Sequence, residues 1–164
     1  MSDGVTVEII PAETPEQLSC VRDLFGRYEQ SLGVDLCFQE FEAELASLPG
    51  KYAPPEGRLV LAMEGDRAAG CIAIRKLDAG VCEMKRLYVR PEFRSRGLGR
   101  RLAQDMIAQA AEAGYTTMRL DTLDRLAEAM ALYESLGFRR TDPYYDNPLA
   151  GVVYWELSLT VENG

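Results

Sequence analysis

A strand-like segment that runs directly into two closely spaced glycines, and then into a long helical pattern, constrains this chain more than any other feature. Residues 87–93 have the sequence LYVRPEF and residues 94–99 the sequence RSRGLG, after which hydrophobic residues recur at helical spacing over 98–110. Glycines in such a turn let backbone N–H groups approach a ligand closely. The start of a helix adds unpaired N–H donors and partial positive charge. The segment therefore predicts an anion site built from a strand, a turn and a helix.

Three arginines, Arg94, Arg96 and Arg100, bring full positive charges to this turn, which suits a pyrophosphate. Two better-known phosphate-binding motifs do not fit, because the Walker pattern needs Gly-Lys-Ser/Thr and the dinucleotide fingerprint needs a third glycine early in a βαβ unit. Residues 85–101 carry a net charge of +6 in a chain whose net charge is −8. On charge alone, a solvated basic face that binds nothing is the open alternative to an anion site.

The residue types that are missing exclude several classes of chemistry. The chain has no histidine, which removes Ser–His and Cys–His catalysis and the commonest metal ligand. Its four cysteines are scattered without a CxxC pair, so the sequence indicates neither a disulfide framework nor a zinc site. We therefore predict no metal. The acidic net charge argues against general nucleic-acid binding.

Length and hydropathy predict one soluble domain over residues 1–164. No apolar run approaches the roughly 20 residues that a membrane helix needs. The first ten residues lack the basic and apolar blocks of a signal peptide. We accordingly expect a cytoplasmic protein that does not bind membranes.

Hydrophobic periodicity and turn residues predict a β-α-α-β-β-β-α-β-α-β-β order. The first helix has the clearest start, because Thr14 and Gln17 form a capping box around Pro15. The predicted strands cover residues 5–10, 58–64, 68–77, 82–89, 117–121, 138–141 and 152–159, and the predicted helices cover 15–32, 38–48, 98–110 and 126–136, with a loop over 52–57.

Three motifs in this chain resemble those of the GNAT superfamily of N-acetyltransferases. Residues 94–99 match its Gln/Arg-x-x-Gly-x-Gly/Ala signature, residues 84–89 (MKRLYV) resemble its central strand, and residues 129–138 (AMALYESLGF) are similar to its A-x-x-L-Y-x-x-x-G-F motif. The motifs occur in the family's order and spacing, and the resemblance covers nearly the whole chain. It implies an α/β (α+β) GNAT-like fold, with a mixed, mostly antiparallel central sheet of about seven strands flanked by four helices.

The resemblance implies acetyl-coenzyme A as cosubstrate. It also implies that the strands on either side of the central helix splay apart, often beside a bulge, so we do not expect strict side-chain alternation over 83–89. One residue departs from the family pattern, because Leu126 stands where an Asn often contacts the cofactor. Backbone groups of the strand would pair with the pantetheine arm and those of the turn would hold the pyrophosphate, which gives the cofactor-binding set Leu87, Tyr88, Val89, Arg94, Ser95, Arg96, Gly97, Leu98, Gly99 and Arg100.

Two residues are candidates for proton transfer. Glu83 occupies the position at which some members of the family carry a general base; the alternative is a strand-end carboxylate paired with Lys85 or Arg119. Tyr133 matches the family tyrosine that faces the coenzyme sulfur, where its phenol would protonate the departing thiolate; the alternative is a core aromatic residue. A backbone N–H near Leu87 would stabilise the tetrahedral oxyanion, as the family implies.

Tyr28, Tyr144 and Tyr145 are the candidate acceptor-binding residues, since they fall near the first helix end and in the last long loop. We expect transfer of acetyl to a small-molecule or peptide amine by direct attack. Acidic and aromatic groups would suit a cationic amine. Two alternatives stay open at this point: a non-catalytic coenzyme A-binding sensor or regulatory domain, and a protein-interaction module. The oligomeric state is also open, with homodimers common among relatives.

Overall fold

The computed structural model describes residues 6–33 and 40–159 of the chain. The strands within these residues are β1 (Val7–Pro11), β2 (Arg58–Glu64), β3 (Arg67–Asp78), β4 (Val81–Val89), β5 (Thr117–Leu123), β6 (Arg139–Thr141) and β7 (Val152–Ser158). The α-helices are α1 (Pro15–Leu32), α2 (Phe41–Ala46), α3 (Leu98–Glu112) and α4 (Ala127–Ser135). Their order along the chain is the predicted one.

The seven strands form one sheet in the order β1-β2-β3-β4-β5-β7-β6. Only β4 and β5 are parallel among the neighbouring strands that the structure describes, and the remaining pairs are antiparallel. The parallel pair needs a crossover connection, which α3 provides. The expectation of a mixed, mostly antiparallel sheet of about seven strands with four helices is confirmed.

The sheet separates two hydrophobic cores, and β4 contributes to both. Met84 packs in the core beneath α3, whereas Tyr88 packs in the core beneath α1. An even spacing would place both side chains on one face of a regular strand. The face changes because β4 has a bulge, marked by a shifted register against β3 and by a left-handed φ of 63° at Arg86. The bulge was anticipated from the family resemblance, and it shapes the site described below.

Local sequence signals set the ends of the two long helices. Thr14 and Gln17 form the reciprocal capping box at the start of α1. At the end of α3, Gly114 adopts a φ of 98° and the N–H of Tyr115 donates to the carbonyl of Ala110 at 3.1 Å. A β-branched or bulky residue would be strained at such a φ, which is why glycine stops the helix there.

Other predicted bounds differ from the structure by a few residues. The second helix ends at Ala46 rather than at residue 48, and its predicted start at Phe38 lies outside the described residues, as does Val5 at the start of the first strand. The predicted loop over 52–57 overlaps at its first residue with a 3-10 turn, Gly50–Tyr52. β5 continues to Leu123 because it pairs with β7 along that whole length. Among the helices described, none is long and apolar enough to span a membrane.

Candidate active site

The centre of the sheet opens where β4 and β5 diverge. Their parallel pairing covers only three residues of each strand, from Val81 opposite Thr117 to Glu83 opposite Arg119. The bulge in β4 begins just beyond this point. The backbone edge of β4 from residue 84 to residue 89 therefore faces a gap rather than a neighbouring strand. The expected splay between these strands is present.

The glycine turn stands at one end of this gap. Ser95 and Gly97 have left-handed φ values of 67° and 72° on either side of Arg96. Such alternation turns successive N–H groups toward one side, as in anion-binding nests. The first intrahelical bond of α3 is donated by Arg101 to the carbonyl of Gly97 at 3.1 Å, so the preceding N–H groups of the helix remain for a ligand. The backbone from 95 to 100 thus suits a pyrophosphate.

The side chains of the predicted cofactor site point in several directions. Arg94 donates through Nε to the carbonyl of Val89 at 2.9 Å, and its guanidinium lies 5.6 Å from the ring centre of Tyr88. Arg96 pairs with Glu64 at 3.2 Å. These contacts hold the arginines beside the turn.

Arg100 joins the start of α3 to the end of α4, because its guanidinium donates to Ser135 Oγ at 2.6 Å. The buried Leu98 anchors the first turn of α3 in the core. Gly99 leaves space beside the last residue of β4, since a Cβ added there would lie 3.9 Å from Val89 Cγ2.

A cavity of about 100 Å³ lies where β4 and β5 diverge. Leu87 and Tyr133 both line it, so the cavity brings together a predicted pantetheine-binding residue and a predicted catalytic one. Its walls come from residues 84–87 of β4, residues 120–123 of β5, Tyr28 and Leu32 of α1, Leu126, Ala129 and Tyr133 at α4, and Asn147, Leu149 and Val152 near the last strand.

Glu83 lies outside the set of residues that line the cavity. Its residue surface is 1% exposed, and its carboxylate pairs with Arg75 at 2.9 Å, lies 3.9 Å from Lys85, and accepts a hydrogen bond from Tyr144 at 2.6 Å. Burial opposes its charged form, but Lys85, Tyr144 and Arg75 outweigh burial and hold the pKa of Glu83 below its usual value. Such a carboxylate is a weak base, so the general-base role stays a prediction without support from this geometry.

The alternative prediction for Glu83 was a strand-end carboxylate that pairs with Lys85 or Arg119. The structure agrees with it for Lys85 and not for Arg119. Lys85 is close, whereas Arg119 pairs instead with Glu156 at 2.8 Å. The nearest cationic partner, Arg75 at 2.9 Å, was missed. It stands directly opposite Glu83 in the β3–β4 pairing, a register that the sequence pattern had not assigned.

Tyr133 has features of both roles predicted for it, the residue that faces the coenzyme sulfur and the core aromatic residue. Its ring packs edge-to-face on Phe138, with 5.7 Å between ring centres, in the core beneath α3. The same residue lines the cavity. Burial raises the pKa of its phenol above the ordinary value, so the hydroxyl keeps its proton at neutral pH. The same shift makes the phenol a weaker acid, so the proton-donor role of Tyr133 stays a prediction.

Of the three predicted acceptor-site tyrosines, Tyr28 lines the cavity. Tyr144 and Tyr145 are not among the lining residues, and the hydroxyl of each donates a hydrogen bond to a carboxylate. Tyr144 contacts Glu83, and the hydroxyl of Tyr145 donates to Asp121. These two tyrosines therefore shape the site through the acids that they bind.

Five polar residues of the cavity were not among the predicted site residues. Lys85 and Arg86 lie on β4, Asp121 and Thr122 lie on β5, and Asn147 belongs to the loop before β7. Asn147 Nδ2 donates to Asp121 at 3.2 Å. Lys85 and Asp121 each lie two residues beyond the last β4–β5 pair, a register that the sequence pattern does not reveal.

Comparisons with known proteins agree with this architecture. The model of the acetyltransferase (GNAT) family matches residues 20–138. An uncharacterized N-acetyltransferase of Schizosaccharomyces pombe is 43% identical over 156 residues, which are 94% of this chain and 96% of the relative.

Solved structures show the same fold. An acetyltransferase of the GNAT family from Staphylococcus aureus Mu50 superposes with a TM-score of 0.80 at 18% identity, covering 94% of this chain and 100% of that one. The PaiA N-acetyltransferase from Thermoplasma acidophilum, solved in complex with coenzyme A, gives a TM-score of 0.73 at 16% identity and covers 93% and 99%. With the sequence match over residues 20–138, these findings establish that the chain belongs to the acetyltransferase (GNAT) family.

Proposed function

We propose that this protein transfers the acetyl group of acetyl-coenzyme A to an amine. The observation that carries the proposal is the gap between β4 and β5, which leads from the N–H groups of the glycine turn to a cavity lined by Tyr133. A long cosubstrate needs such a path, with an anion site at one end and a reaction chamber at the other.

The cosubstrate would lie along the gap between β4 and β5. Its pyrophosphate would lie on the turn from Ser95 to Arg100, and its pantetheine arm would run along the open edge of β4 toward Leu87. The coenzyme A complex of the Thermoplasma acidophilum neighbour supports this cosubstrate class. Leu126 lines the cavity where relatives often carry Asn, so the hydrogen bond of that Asn is lacking here.

The reaction proceeds by direct attack. The neutral amine nitrogen adds to the thioester carbonyl carbon, and a backbone N–H near Leu87 stabilises the resulting oxyanion. The C–S bond then breaks, and the sulfur takes its proton from the phenol of Tyr133, which is replenished from solvent. The nitrogen loses one proton as the amide forms, directly to water or through Glu83.

The cysteines support attack without a covalent enzyme intermediate. Cys71 and Cys82 are buried, and burial raises the pKa of Cys82 to about 12. A thiol with such a pKa is not an activated nucleophile at neutral pH. Cys20 lies on α1, outside the cavity lining, and Cys37 lies outside the described residues.

Thermal melting with acetyl-coenzyme A, free coenzyme A and ATP tests the proposal first. At a ligand concentration about 100 times Kd, binding should stabilise the fold by about 2.7 kcal/mol. We expect a shift with both coenzyme A species and none with ATP, followed by amine-dependent thiol release. Absence of a shift would favour an interaction module. A shift without turnover on any amine would favour a coenzyme A sensor.

A further inference from the structure

The bulge of β4 holds an arginine in a backbone conformation that favours glycine. The β3–β4 register shifts between Cys71 and Ala73. Two residues of β4, Arg86 and Leu87, therefore stand opposite one residue of β3. Arg86 has a φ of 63°, in the left-handed region, which is unfavourable for a residue with a Cβ. A residue keeps such a conformation when the contacts around it hold it there.

The side chain of Arg86 is held by α2. Its guanidinium donates two hydrogen bonds to the carboxylate of Glu44, at 2.9 and 3.0 Å, and the two side chains are 2% and 5% exposed. The guanidinium also lies 5.7 Å from the ring centre of Tyr28 and 5.2 Å from that of Phe41. A bidentate pair fixes the direction of a guanidinium as well as its position. The side chain that leaves the bulge is thus anchored at its far end.

The backbone of the bulge is oriented toward β3. The buried thiol of Cys71 donates to the carbonyl of Arg86, with 3.3 Å between sulfur and oxygen. In a planar trans peptide the carbonyl and the N–H point in opposite directions. The N–H of Leu87 shares this peptide with the Arg86 carbonyl and therefore points away from Cys71. On that side β4 faces the gap, because β3 and β5 are its two neighbours in the sheet.

We propose that Glu44, through Arg86, positions the backbone N–H that stabilises the oxyanion of the proposed acetyl transfer. The pair holds Arg86 in its left-handed conformation, and this conformation directs the N–H of Leu87 into the gap. Relaxation of Arg86 to a right-handed or extended conformation would rotate the adjoining peptide planes and turn the N–H away from the thioester carbonyl. Glu44 and Arg86 act through the backbone of Leu87 and are therefore positioning residues. The inference rests on the proposed acetyl transfer and deepens it.

The acetyl carbonyl itself reports on this N–H, whichever amine is the acceptor. Acetyl-coenzyme A labelled isotopically at the carbonyl carbon is bound to the protein, and the stretching band of the labelled C=O is recorded by infrared difference spectroscopy. A hydrogen bond from Leu87 polarises the carbonyl and lowers its stretching frequency. A variant in which the N–H has turned away should therefore show the band at a higher frequency than the wild type does.

Glu44→Gln removes the charge that holds Arg86 and keeps the shape of the side chain. The C=O band of bound acetyl-coenzyme A should move to higher frequency in this variant. The kcat of amine-dependent thiol release should fall by about tenfold or more, as expected when an oxyanion donor is misplaced. The Kd for acetyl-coenzyme A should change much less, because the donor acts mainly on the transition state.

Met106→Ala is the control for lost stability. Met106 is fully buried in the core beneath α3 and lies outside the cavity lining. Truncation there should destabilise the fold about as much as Glu44→Gln does. The band and kcat of Met106→Ala should nevertheless match those of the wild type at a temperature where both are folded. If Met106→Ala moves the band or lowers kcat as much as Glu44→Gln does, the effect comes from stability and the inference is overturned.

Two double variants separate backbone conformation from charge, and they also cover the case that Glu44→Gln alone does not fold. Arg86→Gly and Arg86→Ala are each combined with Glu44→Gln, so that both buried charges are removed in either protein. Only glycine accepts a φ near 63° without strain. The glycine variant should keep the wild-type band, whereas the alanine variant should show the higher frequency and a kcat about tenfold lower than that of the glycine variant. Equal bands in the two variants, at either frequency, overturn the inference.

Melting with acetyl-coenzyme A is recorded for the wild type and for every variant before the spectra. Wild-type protein that fails to bind acetyl-coenzyme A removes the proposed function itself. Wild-type binding and turnover, with a C=O band that does not respond to Glu44 or to residue 86, removes only the positioning role. The two failures are thereby distinguished.

Discussion

The hydroxyl of Tyr144 donates a 2.6 Å hydrogen bond to the carboxylate of Glu83 and closes the side of that acid which Arg75 does not cover. Tyr144 belongs to the loop between β6 and β7, whereas Glu83 lies on β4 at its last pair with β5. This hydrogen bond therefore connects the loop beside the cavity to the place where β4 and β5 diverge.

Replacement of Tyr144 by Phe should destabilise the fold by about 1–3 kcal/mol, because it removes a hydrogen bond to a buried charged group. Urea denaturation at pH 7 measures the loss. Tyr154→Phe is the control, since its hydroxyl bonds to the neutral carbonyl of Tyr145 at 3.2 Å within the same aromatic cluster. We expect it to cost only about 0.5–1.5 kcal/mol. Equal losses in the two variants would show that the charge on Glu83 adds nothing to the Tyr144 bond.

The elements of the fold that depend on local sequence were predicted well, and the site contacts that depend on register were not. Thr14 and Gln17 specify the start of α1 through contacts within four residues. By contrast, both Arg75 and Arg119 stand opposite Glu83 in the sheet, and only one of them pairs with it. The choice depends on which face each side chain takes near the bulge, and alternation in sequence does not reveal that.

The hydrogen bonds to the carboxylate of Asp121 were not predicted, for a related reason. Asp121 was recognised only as a strand residue, and Tyr145 was predicted to bind the acceptor rather than a carboxylate of the protein. Their contact requires the loop before β7 to fold back across β5, an arrangement set by tertiary packing rather than by periodicity. The glycine turn was predictable because an anion site of this kind is built from the backbone N–H groups of consecutive residues. No contact between distant parts of the chain has to be known.

The buried ion pair between Glu44 and Arg86 should make the free energy of unfolding depend on pH in the acidic range. Burial disfavours the carboxylate, but Arg86 and Lys51 more than offset burial and lower the pKa of Glu44. A lowered folded-state pKa gives stability that is fully present above the unfolded value near 4.5 and lost as pH falls. The free energy of unfolding should therefore decrease below pH about 4.5.

Glu44→Gln isolates this contribution. It should cost about 3–5 kcal/mol at pH 7, because it leaves Arg86 buried without its carboxylate partner. The difference from wild type should shrink as pH falls. Asp23→Asn is the control: Asp23 pairs with Arg27 and Arg90 on the surface, so the change should cost about 0–1 kcal/mol. If the difference in free energy of unfolding between Glu44→Gln and wild type does not change with pH, the loss of stability in acid does not come from Glu44.

Tyr133→Phe separates catalysis from binding. Loss of a proton donor should lower kcat by about 100-fold or more, while the melting shift with acetyl-coenzyme A is retained. Tyr115→Phe is the matched control, because Tyr115 is similarly buried but donates to the carbonyl of Glu56, away from the cavity. An unchanged kcat in Tyr133→Phe would mean that the sulfur receives its proton from water.

Gly99→Ala should weaken binding of acetyl-coenzyme A without harming the free protein. A Cβ at this position meets Val89 Cγ2 at 3.9 Å and Leu132 Cδ2 at 4.0 Å, which are ordinary contacts. Alanine in a helix should even raise stability by about 0.5–1 kcal/mol. The methyl group would nevertheless stand between the end of β4 and α4, in the path proposed for the cosubstrate. We expect Kd to rise by about tenfold or more, which corresponds to 1.4 kcal/mol or more.

Gly26→Ala provides the control for Gly99→Ala. Gly26 lies within α1, and a Cβ added there has open space around it. This variant should show the same gain in stability, since the backbone entropy argument is the same. Its Kd for acetyl-coenzyme A, measured by calorimetry, should equal that of the wild type. If Gly99→Ala also binds like the wild type, the cosubstrate does not pass beside Gly99, and the path along the open edge of β4 is wrong.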